Sequence, residues 1–304
     1  MNAIPVLLDT DIGSDIDDAV ALAYLLKQPR CELLGITTVS GEPALRASLA
    51  DAICQAARRP DVPIHVGTEA PLLILPRQPR APHAEALGEK WPHRTFSTEN
   101  TAIEFLRRTI RSRPGEITLL TIGPLTNAAL LYALDPEIPA LLKQHVLMGG
   151  RFFAPEGEEQ NPEWNIICDP HAAAKVFAAP LPRLIAVGLD VTTKCPLDAD
   201  ECRRRFTAAA GPLAPVAAMA EVWFRHANRI TFHDPLAAAL IFDEILCTLQ
   251  AGHVEVDLDG ASSPGQTRLI VESEKRPHEL AETVDSGAFF RHYFDIVGGK
   301  QDSS

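Results

Sequence analysis

Five acidic residues fall within ten positions near the start of the chain. Asp9 and Asp11 end an apolar run, and Asp15, Asp17 and Asp18 follow after a short turn. Crowded carboxylates repel one another, and carboxylate oxygens are the ligands that hard divalent cations prefer. The pattern therefore predicts a metal site that takes part in chemistry. Acids at the start of a helix would explain Asp17 or Asp18 alone, but not Asp9 and Asp11.

A second fragment places a histidine directly before an aspartate, at His233 and Asp234, with Pro235 next. Asp-Pro is also a common helix start, and the chain repeats it at Asp135 and Asp169. His233 alone could be a surface residue. Taken together with the acidic cluster, it is the best candidate for a general acid, because imidazole exchanges protons near neutral pH.

The composition is that of an ordinary folded protein. The chain has 304 residues, of which 46% are hydrophobic, and a net charge of −12 from 28 basic and 40 acidic residues. We predict one domain over residues 1–304, with a disordered tail at 299–304, because no long linker or internal repeat is visible. An acidic chain without a basic face is not expected to bind nucleic acid.

The same sequence predicts a cytoplasmic protein that is not bound to a membrane. Its first residues run directly into a predicted strand rather than into a signal peptide, and no apolar run is long enough to span a bilayer. The six cysteines are scattered without a Cys-x-x-Cys pair, which argues against a zinc site and for reduced thiols.

Apolar runs alternate with helical patterns along most of the chain. This alternation predicts parallel strands joined by helical crossovers, and hence an α/β fold with a single-domain, open, mostly parallel sheet flanked by helices. Ligands bind beyond the carboxyl ends of the strands in such sheets. Residues 252–271 are predicted as two strands, either an antiparallel pair at the sheet edge or a separate ribbon. The other predicted strands are 4–9, 32–39, 62–66, 116–122, 145–148 and 184–187, and the predicted helices are 17–27, 44–58, 98–112, 125–134, 169–178 and 285–297.

Several fragments together resemble the nucleoside hydrolase family, the inosine-uridine preferring nucleoside ribohydrolases. The resemblance implies a Rossmann-like single domain, a bound Ca²⁺, and cleavage of the N-glycosidic bond of ribonucleosides in purine and pyrimidine salvage. It also implies a homodimer or homotetramer. The fragments, in the order and spacing of the family, are Asp9-Thr10-Asp11-Ile12-Gly13 with Asp17-Asp18-Ala19, Gly123-Pro124-Leu125-Thr126-Asn127, Met148-Gly149-Gly150, Glu163-Trp164-Asn165-Ile166 and His233-Asp234-Pro235.

The resemblance also implies a role for each matching residue. Asp11 would bind Ca²⁺ and act as the general base toward its water. Asp18 and Asp234 would be further metal ligands, together with the main-chain carbonyl of Ile122. His233 would protonate the departing base, and Asp9 would support the site from behind.

The ribose contacts implied by the family fall on Met148, Glu163 and Asn165. Glu163 and Asn165 are two residues apart, so in an extended segment they would face the same way. Asn161 is a further candidate for a hydroxyl contact. His83 resembles a loop histidine near the base site, although a solvated histidine would fit the fragment almost as well.

Two features depart from the family pattern. The loop before Asp17 is two residues longer than usual because of Asp15 and Ile16, which leaves open whether Asp15 or Asp17 contacts the ribose. Glu42 stands where the family often has an asparagine that contacts ribose. A carboxylate accepts but cannot donate a hydrogen bond, so affinity or substrate class could differ from the family norm.

The sequence leaves two alternative functions and one structural question open. Asp9-Thr10-Asp11 resembles the start of haloacid-dehalogenase-type, Mg²⁺-dependent phosphatases, with Asp9 as nucleophile, although Gly13 misses their Thr/Val position. A non-catalytic nucleoside or ribose binder could keep the same acidic cluster. The segment 223–229 is predicted to be helical and could line a base pocket or simply pack in the core.

Overall fold

The computed structural model describes residues 3–153, 161–209, 211–259, 264–270, 273–275 and 277–298. Strands and helices alternate over most of this length, as the sequence predicts. The strands are β1 (Ile4–Thr10), β2 (Cys31–Thr38), β3 (Ile64–Val66), β4 (Thr118–Thr121), β5 (Gln144–Met148), β6 (Leu184–Val187), β7 (Pro196–Asp198), β8 (Arg229–Thr231), β9 (Cys247–Val256), β10 (Thr267–Ile270) and β11 (His278–Val284).

The α-helices lie on both sides of the sheet and connect its strands. They are α1 (Asp17–Lys27), α2 (Pro43–Ala56), α3 (Ala102–Ser112), α4 (Thr126–Leu134), α5 (Ile138–Leu141), α6 (Trp164–Cys168), α7 (Pro170–Phe177), α8 (Leu189–Thr192), α9 (Ala199–Ala209), α10 (Leu213–Trp223), α11 (His233–Leu240) and α12 (Ser286–Val297). No helix in the described part of the chain is long and apolar enough to cross a membrane.

Nine strands form one sheet in the order β10-β9-β11-β6-β5-β4-β1-β2-β3. The seven strands from β11 to β3 pair in parallel, while β9 is antiparallel to both β11 and β10. The predicted mostly parallel α/β sheet is therefore confirmed. The two short strands β7 and β8 pair separately.

Strand β1 lies inside the sheet and is buried on both faces. Val6 and Leu8 belong to one apolar core, and Leu7 to the core on the opposite face. This arrangement follows from the alternation of side chains along a strand and explains why β1 is apolar at successive positions. The fold thus brings the carboxyl end of β1, with its acidic residues, beside the carboxyl ends of its parallel neighbours β4 and β2.

Most predicted elements are present, with bounds that differ by a few residues. The helix at 17–27 and the strand at 184–187 match the prediction. The pair predicted within 252–271 is antiparallel and forms the edge of the main sheet, so the separate-ribbon alternative is wrong.

Two predictions on the second half of the chain need correction. Sequence patterns gave no strand at 278–284, but β11 lies there between β9 and β6. The predicted helix at 223–229 is wrong beyond its first residue, since α10 ends at Trp223 and Arg229 begins β8. The predicted tail at 299–304 lies outside the described residues.

Candidate active site

A cavity of about 480 Å³ opens at the carboxyl ends of the central strands. Its volume is in the range of small-molecule sites. Asp11 follows β1, Ile122 follows β4 and Met148 ends β5, so parallel strands deliver all three to one edge. The cavity wall includes most of the predicted site residues: Asp11, Asp15, Asp17, Asp18, Ile122, Met148, Glu163, Asn165, His233 and Asp234.

Three buried carboxylates in this wall lie close enough to share one cation. Asp17 and Asp18 open α1 and Asp234 lies in the first turn of α11, and one oxygen from each lies within 4.8 Å of the others. This trio differs from the predicted set of metal ligands, because it includes Asp17 and does not include Asp11. A set made only of oxygen ligands suits a hard cation such as Ca²⁺ better than zinc.

Burial and mutual repulsion disfavour the ionised form of these carboxylates. The pKa values of Asp17, Asp18 and Asp234 all lie well above the usual range, first because burial penalises the charge and then because neighbouring carboxylates repel it. Burial also raises the pKa of Asp11, opposed by the positive charge of Arg46. A bound cation would relieve this repulsion, so the raised values fit a metal site.

Hydrogen bonds hold the cluster in position. The Thr10 hydroxyl donates to Asp18 Oδ1, and the Asp234 main-chain N–H donates to Asp17 Oδ2 at 3.0 Å. These contacts link the end of β1 and the starts of α1 and α11, which are separated in sequence but adjacent in the fold.

A fully buried arginine, Arg46 of α2, fixes the loop that follows β1. Its guanidinium donates to the main-chain oxygens of Asp11, Ile12 at 3.1 Å and Gly41 at 2.8 Å, and to Ser14 Oγ at 3.0 Å. Because these partners are neutral, the positive charge of Arg46 remains available to the nearby carboxylates. Nothing in the sequence pattern marked Arg46 for this position.

Asp9 lies behind the cavity rather than in its wall. It is 1% exposed and accepts hydrogen bonds from the Thr37 hydroxyl and from Asn127 Nδ2, the latter at 2.7 Å. Burial raises its pKa to about 7. A nucleophile must reach its substrate, so this placement argues against the phosphatase alternative and is consistent with a supporting role.

Glu163 and Asn165 line the cavity, but their backbone conformation differs from the predicted one. Glu163 caps α6, accepting from the main-chain N–H groups of Asn165 at 2.8 Å and Ile166 at 3.1 Å. Asn165 is therefore helical, and the expected extended segment is wrong. Its Nδ2 donates to the carbonyl of Ile122 at 3.0 Å and to that of Met148 at 3.2 Å.

His233 begins α11 and lies in the same wall as the carboxylates. Its Nδ1 forms a 2.7 Å hydrogen bond with Thr192 Oγ1, which fixes the ring orientation and leaves Nε2 without that restraint. Burial lowers the pKa of His233 to about 4, so the neutral ring is its resting form.

The acids and the histidine of this cavity belong to a chain that matches one known protein family over most of its length. A profile of the family described as "Inosine-uridine preferring nucleoside hydrolase" matches residues 6–291. The chain belongs to this family. The family predicted from the sequence motifs is thereby confirmed.

Named nucleoside hydrolases resemble the chain over most of its length. The non-specific ribonucleoside hydrolase RihC of Klebsiella pneumoniae is 34% identical, covering 97% of this chain and 98% of its own. Uridine nucleosidase 1 of Arabidopsis thaliana is 31% identical, covering 84% and 79%. The purine-preferring ribonucleoside hydrolase from Gardnerella vaginalis has the same fold, with a TM-score of 0.83 at 24% identity and coverage of 97% and 98%.

Three residues predicted as substrate contacts of a nucleoside hydrolase lie outside the wall of this cavity. Glu42 accepts from the Ala81 main-chain N–H at 2.8 Å, and so holds a neighbouring loop. Asn161 is exposed. His83 is buried with its ring edge against Trp223, at 6.5 Å between ring centroids, and Trp223 in turn lines the cavity.

The two extra residues before Asp17, Asp15 and Ile16, form part of the turn that leads into α1. Asp15 lines the cavity and its Oδ1 accepts from the Ile16 main-chain N–H at 2.6 Å, which closes the turn. Asp17 belongs to the carboxylate trio. Of the two candidates for the ribose contact, Asp15 is therefore the one whose carboxylate lies outside that trio.

Sequence reasoning missed Gln78, whose side chain also lines the cavity. It lies in the Pro-rich loop between β3 and α3, which has no periodic pattern that could assign it to the site. Its Nε2 donates to Asp11 Oδ2, the carboxylate expected to act as the base.

Proposed function

We propose that this protein hydrolyses ribonucleosides to ribose and a free base, with Ca²⁺ bound among the carboxylates. The observation that carries the proposal is the meeting of Asp11, Asp17, Asp18 and Asp234 with His233 in one cavity wall. Family membership and the named activities of the relatives support the same reaction.

The ion would be held by Asp17, Asp18 and Asp234, and Asp11 and Ile122 line the same cavity. When bound, a Ca²⁺ ion would polarise the attacking water and lower its pKa. The Ile122 carbonyl already accepts from Asn165, but a carbonyl oxygen has a second lone pair.

The protein side chains supply the remaining chemistry. The C1′–N bond breaks as the water oxygen bonds to C1′, and Asp11 accepts the proton that the water loses. Positive charge develops on the sugar during this step, and the surrounding carboxylates stabilise it. We propose that His233, once its ring has taken up a second proton, donates the proton on Nε2 to the departing base and returns to its neutral form. We rank this contribution below that of Asp11, because burial favours the neutral ring.

The family resemblance supports finer proposals about the protein in the cell. We propose a homodimer or homotetramer that acts in nucleoside salvage in the cytoplasm, with a small-molecule ribonucleoside as its partner. Light scattering of the purified protein measures the assembly directly, and a monomer at micromolar concentration would contradict that part.

Incubation with inosine, uridine, cytidine and adenosine, with Ca²⁺ or with excess chelator, tests the reaction. We expect release of reducing sugar from at least one nucleoside and loss of release on chelation. No sugar from any nucleoside in the presence of Ca²⁺ would contradict the proposal. Tight nucleoside binding by calorimetry without product would instead identify a non-catalytic binder.

The role of His233 is tested separately with His233→Ala. Activity on inosine should fall by about 10²-fold, the lower end of what general acid catalysis contributes. Activity on a nitrophenyl riboside should be nearly retained, because its leaving group needs no proton. An equal loss on both substrates would refute the acid role.

A further inference from the structure

Gln78 connects two parts of the cavity wall that are distant in sequence. Its Nε2 donates to Asp11 Oδ2, and its Oε1 accepts the indole N–H of Trp164 at 2.7 Å. A carboxamide offers a donor nitrogen and an acceptor oxygen on the same planar group, and Gln78 uses both. Asp11 follows β1 and Trp164 opens α6. The Gln78 amide therefore links the proposed general base to a half-exposed tryptophan of the cavity wall.

Hydrogen bonds hold the backbone at Gln78 and directly after it. Ser40 Oγ donates to the Gln78 carbonyl at 3.2 Å. Arg46 Nη2 donates to the Arg80 carbonyl at 3.0 Å, and Glu42 Oε2 accepts from the Ala81 N–H at 2.8 Å. These contacts hold in place the backbone from which the Gln78 side chain reaches Asp11.

The opposite side of the Asp11 carboxylate is confined as well. A Cβ atom at Gly123 would lie 2.6 Å from Asp11 Oδ1, so that oxygen lies directly against the glycine. Gln78 holds the other oxygen. With one oxygen against Gly123 and the other on Gln78, the carboxylate has little freedom to turn about its own axis.

We propose that Gln78 is a positioning residue for the reaction proposed above, on which this inference rests. Through its N–H it orients the Asp11 carboxylate toward the attacking water. Through its carbonyl oxygen it keeps the Trp164 indole in place as a wall against the substrate. The first contact should affect kcat and the second KM, because only the first acts on the proton-accepting group.

Substitutions that remove these contacts one at a time separate the two effects. Gln78→Glu keeps the acceptor for Trp164 and loses the donor to Asp11. We expect kcat to fall about 10- to 100-fold, the usual effect of losing a partner that orients a site residue, with KM little changed. Gln78→Leu loses both contacts and should lower kcat and raise KM together.

Trp164→Phe keeps the aromatic ring and removes only the indole N–H. It should raise KM about 2- to 10-fold, which corresponds to the net free energy of one neutral hydrogen bond, and leave kcat near wild type. In the double variant with Gln78→Leu, KM should rise no further than in Gln78→Leu alone, because the two changes remove the same contact. The matched control is Arg77→Ala, an exposed neighbour on the same loop, which should change neither constant.

All variants are assayed with uridine and inosine at saturating Ca²⁺. A change in metal affinity is then not mistaken for a change in kcat. A wild-type kcat in both Gln78→Leu and Gln78→Glu would overturn the inference while leaving the proposed function intact. Failure of the wild-type protein to cleave any nucleoside would overturn the function, and this inference with it.

Discussion

Two groups of buried aspartates in this protein have opposite electrostatic surroundings. Asp234 is 3% exposed and lies among other carboxylates, whereas Asp135 is 5% exposed and lies between two arginines. Arg107 Nε donates to Asp135 at 2.7 Å, and Arg111 donates twice, at 2.6 and 2.7 Å. The pKa of Asp234 is accordingly raised well above its usual range, and that of Asp135 lies well below it.

This difference separates an acid that serves the fold from the acids that we propose take part in the chemistry. At Asp135 the chain supplies the compensating charge from one face of α3, at positions four residues apart. In the carboxylate trio of Asp17, Asp18 and Asp234 it supplies more negative charge instead, and the nearby Arg46 binds main-chain oxygens. The trio therefore stores repulsion that a bound cation would relieve.

The largest expected effect follows from removing the proposed base. Asp11→Ala should lower kcat by about 10²- to 10⁴-fold or more, because proton acceptance in the transition state is lost. The fold should survive, since the trio and Arg46 do not depend on the Asp11 side chain. Circular dichroism and kcat are measured together, with Asp135→Asn as the control that should retain turnover. An unchanged kcat would refute the base assignment.

Calcium should stabilise the protein through the trio and not through Asp135. An ion that binds only the folded state raises the free energy of unfolding by about 2.7 kcal/mol at a concentration 100 times its Kd. The thermal shift on adding Ca²⁺ should be nearly abolished in Asp234→Asn and retained in Asp135→Asn. If Asp234→Asn kept the full shift, the trio would not be the calcium site.

The sequence motifs identified the residues that lie where strands end and helices begin. Asp11, Asp17, Asp18, His233 and Asp234 each lie directly at such a junction, and the family resemblance gave them their proposed roles. The fold class could be predicted, since alternating elements determine a parallel sheet.

Residues brought in by tertiary contacts could not be predicted in this way. Arg46, Gln78 and Thr192 reach the site through packing of elements far apart in sequence, and each has an ordinary local context. The error at Glu163 and Asn165 has a local cause, because the Glu163 carboxylate caps the helix that contains Asn165. Strand β11 was missed because Glu279 and Glu282 interrupt its apolar pattern.

Substitution of one acid in each group by asparagine should change stability in opposite directions when metal is removed. Asp234→Asn should raise the free energy of unfolding by about 0.5–2 kcal/mol, because it removes a repelling charge from the trio. Asp135→Asn should lower it, because two guanidinium groups lose their anionic partner. Urea unfolding in excess chelator measures both. A loss of stability in Asp234→Asn would show that the trio is not strained without a cation.

The smallest effect expected is the pH dependence of stability that Asp135 contributes. The pKa of this carboxyl is lowered in the folded protein by its hydrogen bonds to Arg111 and Arg107, relative to about 3.9 in an unfolded chain. The stability that it contributes is therefore fully present above about pH 4 and is lost as the pH falls toward the folded value. The stability difference between wild type and Asp135→Asn should be constant from pH 5 to 7 and shrink below about pH 4. A difference that stayed constant into the acid range would mean that the arginine contacts do not favour the charged form.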